Sequence, residues 1–140
     1  MNKYTLDVEK SKEVYEYFQE QMQLKMCYNN VYSVFEYSIA TFRTGKWKIA
    51  YGYVSSIENI LCRHCFIIDE NGKVIDPTLF TQTIVNTERE YYVFKIYDDV
   101  DEYLDAIVQN DYYVGLERVL RKEERQAHEW ALNNGYFLAG

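Results

Sequence analysis

Proline occurs once in the 140 residues, at Pro77, and glycine six times, which excludes a proline-rich linker, a collagen-like repeat or a glycine-rich flexible arm. No apolar run approaches the roughly 20 residues that a helix needs to cross a bilayer. The opening MNKYTLDVEK also lacks the apolar segment of a secretory leader. A cytoplasmic location, with no membrane partner, is the expectation. Basic residues are scarce as well: 15 Lys and Arg against 22 Asp and Glu leave a formal net charge of −7, which repels a phosphate backbone. The one basic concentration, Arg118 to Arg125, is interrupted by glutamates at helical pairing distance, so nucleic acid is not expected as a partner. Cysteine is limited to three, an odd number that cannot complete a disulfide framework and that a reducing compartment keeps as thiols.

What is abundant is apolar and aromatic material, with 15 tyrosines and seven phenylalanines, enough for the core of one domain spanning residues 1–140. Its class is expected to be α+β, an antiparallel sheet packed against helices. Val8, Tyr15, Phe18 and Met22 share one side of a helix from Asp7 to about Gln23, with Asp7 placed to cap it. Val31, Val34, Phe35, Ser38 and Phe42 recur at the same period, predicting a helix from about Cys27 to Phe42 with Gly45 as its stop. Strands are expected at Lys46 to Val54, which alternates large and small side chains, and at Tyr91 to Tyr97, with helices at Asp99 to about Asn110 and Leu116 to Asn133.

The central stretch CRHCFIIDENGKVIDPT, Cys62 to Thr78, reads as a hairpin whose loop decides what it can do. A two-residue turn at Asn71 and Gly72 would set Ile67 against Asp76 and send His64 and Asp76 to opposite faces. A three-residue loop, Glu70 to Gly72 with Gly72 left-handed, would set Phe66 against Asp76 and bring His64, Phe66 and Asp76 to one face. Composition permits both.

A cysteine attacks a carbonyl carbon as the thiolate, so a catalytic thiol needs an environment that favours negative charge and a base that takes and returns a proton. Cys27, at a helix start, has the orphan N–H groups and the dipole; His64 can pair with it, and Asp76 can hold the imidazole through its second nitrogen. The backbone N–H of Cys27 is one candidate oxyanion donor. Asn30, Tyr51 and Tyr53 are candidates for the substrate cleft, although Asn30 could brace a turn and strand tyrosines are more often core.

A cysteine opening a helix, a later strand with His64-Cys65-Phe66 and a following strand ending Asp76-Pro77-Thr78 resemble the core of the transglutaminase-like branch of papain-like thiol enzymes. The resemblance implies a Cys27, His64, Asp76 triad, without a cofactor, acting on amide or thioester carbonyls of a peptide, protein or small acyl substrate, with an upstream glutamine, Gln21 or Gln23, as the second oxyanion donor. Tyr28 and Phe66 stand where that family commonly has tryptophan.

Two other classes compete. Cys62, His64 and Cys65, with Cys27 or His128 as a fourth ligand, have a zinc-like spacing, but a strand sends Cys65 away from the other two, and no metal is expected. A noncatalytic binding or accessory protein on the same scaffold, of the kind carried by phages or mobile elements, is the main alternative to an enzyme.

Overall fold

The computed structural model describes residues 1–139. Five helices pack against a six-stranded sheet, so the class is α+β. In chain order the elements are β1 (Asn2–Tyr4), α1 (Val8–Tyr17), α2 (Cys27–Tyr37), α3 (Ile39–Arg43), β2 (Lys48–Ile57), β3 (Ile60–Ile68), β4 (Val74–Ile75), β5 (Tyr91–Tyr97), α4 (Val100–Gln109), α5 (Arg121–Asn133) and β6 (Phe137–Ala139). Short 3₁₀ turns cover Gln19–Gln21 and Pro77–Thr81. Among the described residues, no helix is long and apolar enough to cross a membrane.

Asp7 caps α1 as its position suggests, accepting at Oδ1 from the Lys10 N–H, and Asp99 does the same for α4 from Asp101 and Glu102. Three predicted helices end or begin elsewhere, each for a local reason. The first stops at Tyr17 rather than Gln23, whose N–H donates to Asn30 Oδ1 and whose carbonyl accepts from Asn30 Nδ2 instead of joining a helical ladder. The second breaks at Ser38, and the short α3 then turns Phe42 back onto Phe35, with ring centroids 5.3 Å apart. The last begins at Arg121 rather than Leu116, whose φ of 55° is incompatible with a right-handed helix. There Asn110 organises a turn, accepting from the N–H groups of Arg118 and Val119 and donating to the Tyr113 carbonyl.

The sheet order is β1-β5-β2-β3-β4, antiparallel throughout, with β6 beside β3 in parallel. It is therefore mixed, not purely antiparallel, because α5 carries the chain back across the sheet before β6 begins, as a parallel pair requires. The large residues of β2, Ile49 and Tyr51, join Cys65 and Ile67 of β3 under α2 and α4, with Val31, Val34, Phe35 and Tyr103 filling the layer. Burying each aliphatic or aromatic side chain contributes roughly 1.5–3 kcal/mol, which fixes the helices on this face. The opposite face carries the small residues Ala50 and Gly52, with Val54, Phe66, Ile68 and Tyr91 packed around them.

Candidate active site

The hairpin of β3 and β4 takes the register that brings the polar residues together. Ile67 faces Ile75 and Ile68 faces Val74, while Asp69 N–H bonds the Lys73 carbonyl, leaving Glu70, Asn71 and Gly72 as a three-residue loop. Gly72 has a φ of +73°, which glycine adopts without strain, and Asp69 Oδ1 accepts from the N–H groups of Asn71 and Lys73. Continued by one step, this register sets Phe66 against Asp76 and puts His64, Phe66 and Asp76 on one face.

Across that face His64 Nε2 lies 2.9 Å from Asp76 Oδ2. The same oxygen accepts from the Tyr91 hydroxyl at 2.7 Å, and Asp76 Oδ1 has no partner among the described residues. Ala50 and Gly52 put almost nothing between β3 and β5 here, so the Tyr91 ring reaches Phe66, at 5.1 Å between centroids, and then the carboxylate. The Asp76 backbone is pinned too: its N–H donates to Ser11 Oγ, which in turn donates to the Asp7 carbonyl, so α1 anchors the end of β4.

Cys27 opens α2, and among the described residues no side chain caps that end, so the first-turn N–H groups remain available to an anion. The outer edge of β3 is covered by β6 at Ile60 to Cys62 and by β4 at Ile67 and Ile68, leaving residues 63–66 without a strand partner on that side among the described residues. The Cys27 thiol lies close enough to the His64 imidazole to help hold its proton, and both side chains line one cleft. The thiol is almost wholly buried but lines a cleft of about 910 Å³ together with His64.

Burial alone would favour the neutral imidazole. The Asp76 charge, the Asp76 hydrogen bond and the Cys27 thiol outweigh it and raise the His64 pKa well above the usual imidazole range. Burial would likewise raise the carboxyl of Asp76, yet the imidazole, the Tyr91 hydroxyl and the nearby Arg89 guanidinium hold it below the usual carboxylate value. The buried Tyr91 phenol is raised by desolvation and by the carboxylate beside it, so it stays a donor.

The remaining candidates fall out differently. Tyr53 lines the cleft. Tyr51 does not: it is fully buried, its hydroxyl donates to the Val114 carbonyl, and it belongs to the core. Asn30 is a brace, its amide consumed by the two Gln23 backbone bonds and a third to Thr78 Oγ1, and so is not free to touch substrate. Gln21 and Gln23 are both exposed and neither lines the cleft, so neither is placed to complete an oxyanion hole. Cys65 is buried in the core beneath the helices while Cys62 lies on the other face with Phe66 and Tyr91. Among the described residues no group of three or more His, Cys, Asp and Glu side chains could hold a metal ion. Tyr91, Ser11 and Arg89 are the site neighbours that inspection of sequence alone misses; the alternation of Tyr91 with Val93 in a strand is the only signal for any of them.

Compared with protein-family models, curated proteins and solved structures, the chain matches none.

Proposed function

We propose that the protein is a thiol-dependent hydrolase or acyltransferase of the papain and transglutaminase-like type, acting on an amide or thioester carbonyl through Cys27, His64 and Asp76. The observation that carries this reading is an imidazole that lies 2.9 Å from a buried carboxylate and lines one cleft with a thiol at a helix start. The Cys27 thiolate attacks the carbonyl carbon, forming a C–S bond and moving the π electrons onto oxygen. That oxyanion is stabilised by N–H groups of the uncapped first turn of α2. As the carbon–nitrogen or carbon–sulfur bond breaks, the His64 imidazolium gives its proton to the leaving group. Water or an amine then attacks the acyl-enzyme, neutral His64 accepts the proton it sheds, and the thiolate is released with a carboxylic acid or a new amide. Asp76 orients the ring and stabilises the imidazolium throughout, with Tyr91 fixing the carboxylate. Three free thiols suit a reducing, cytoplasmic setting.

Intact-mass measurement after exposure to chromogenic peptide anilides and N-acetylcysteamine thioesters tests the reading. An acyl adduct on the wild-type chain that is missing in Cys27→Ala is expected. Absence of both adduct and turnover across both donor classes, with Cys27 no more reactive than Cys62, would leave the noncatalytic scaffold in its place.

A further inference from the structure

The cleft beside Cys27 is charged against the trend of the molecule. In a chain with a net charge of −7, it gathers Lys25, Arg63 and Arg89 against Glu117 and Glu124. One of those carboxylates is already committed, since Arg63 Nε donates to Glu124 Oε1 at 2.8 Å. The two terminal amino groups of Arg63, Nη1 and Nη2, are shut off from water and make no hydrogen bond among the described residues, the Tyr28 hydroxyl being a neutral acceptor nearby that does not close one.

The guanidinium is held in place by aromatic rings, Tyr28 at 5.1 Å and Tyr51 and Phe94 each at 5.8 Å. Rings stabilise the cation but accept none of its in-plane N–H bonds, and an arginine cannot shed its charge to escape the penalty. Buried charged donors without acceptors are costly, and a planar anion that takes two parallel N–H bonds is the chemistry that relieves the cost. Position adds to this. Arg63 precedes His64 on β3, and Tyr28, the nearest of the three rings, follows Cys27 on α2, so the arginine lines the same cleft as the reacting groups.

We infer that the substrate of this site carries a carboxylate a few bonds from the carbonyl that Cys27 attacks, and that Arg63 binds it, with Lys25 at the rim of the cleft. The inference rests on the thiol reading above. Because neither terminal nitrogen reaches water in this state, an entering carboxylate displaces the cover, and the half-buried Tyr28 is the side chain placed to yield.

Two alkylating reagents of identical chemistry and different charge provide the test. The rate of Cys27 modification by iodoacetate is divided by that for iodoacetamide, which cancels whatever a substitution does to the thiol itself. The ratio is expected to fall roughly tenfold in Arg63→Met and to recover in part in Arg63→Lys. An unchanged ratio in a folded Arg63→Met chain would overturn the inference. Should Arg63→Met fail to fold by circular dichroism, the wild-type chain is melted with sodium succinate at fixed ionic strength: a rise in Tm is expected, and none would overturn the proposal. If iodoacetamide modifies Cys27 no faster than Cys62, it is the thiol mechanism that fails, and the succinate melt still decides the anion site.

Discussion

Gly52 stands opposite His64 in the β2–β3 ladder, and a Cβ built at Gly52 would come within 1.8 Å of the Tyr92 carbonyl oxygen on the next strand. The β2–β5 register shifts between Tyr51 and Gly52, so the bulge that draws β5 close depends on the missing side chain. Since the obstructing atom is backbone, it cannot simply rotate away. Gly52→Ala is expected to cost about 2 to 3 kcal/mol in denaturant unfolding and to loosen His64 with it. A neutral result would mean that the bulge is not set by this contact.

Tyr91 shares an Asp76 oxygen with His64, and among the described residues the other oxygen has no partner to compensate for its loss. Tyr91→Phe, which keeps the ring, is expected to destabilise the protein by about 2 kcal/mol. Because that hydrogen bond helps to hold Asp76 low, the folded carboxyl should titrate higher in the variant, and acid unfolding should set in at a higher pH. Acid titrations of the two proteins followed by circular dichroism check the shift.

Asn30 ties the loop before the cysteine to the turn after Asp76, through Gln23 on one side and Thr78 on the other. Asn30→Ala should cost roughly 3 kcal/mol, because it leaves two Gln23 backbone groups and a buried threonine hydroxyl without their partner. Faster amide exchange over residues 22–30 than in the wild type is the accompanying signature, measurable by mass spectrometry.

Stability should also report the imidazole. The folded-state pKa of His64 is raised, so the folded chain holds a proton that the unfolded chain releases. Its contribution is fully present below the unfolded value of about 6.5, and it is lost as the pH rises through the folded value. In Cys27→Ala, where no thiol shares the proton, unfolding free energy should therefore decline above about pH 6.5 by roughly 1 kcal/mol per pH unit. Adding His64→Gln should abolish that slope whatever it does to absolute stability. At the acid end the lowered Asp76 carboxyl acts in the opposite sense, and its contribution disappears as the pH falls through its folded value.

How far these features could be read beforehand differs from residue to residue. The cap at Asp7 and the strand Tyr91 to Tyr97 are written in local sequence, because capping and alternation act over a few neighbours. The loop of the central hairpin was open between two registers, since Asn71-Gly72 suits both turns; closure by Asp69 and Lys73 decides it. Tyr91, Ser11 and Arg89 approach Asp76 only through the folded sheet and the return of α1, which no local spacing encodes. Tyr51 and Asn30 carry chemistry that suits a cleft, a core or a turn brace alike, and the fold spends both hydrogen-bonding side chains internally. The three-residue strands β1 and β6 carry too short a pattern to stand out, and exist because β5 and β3 offer edges to pair with.

The most direct test of the whole account is the rate at which iodoacetamide modifies each of the three cysteines near neutral pH, read by peptide mass spectrometry in the wild type and in His64→Ala. Cys27 should react at least roughly tenfold faster than the partly accessible Cys62, and the excess should vanish without the imidazole. Equal, slow modification of Cys27 and Cys62, or a Cys27 rate indifferent to His64, would contradict it.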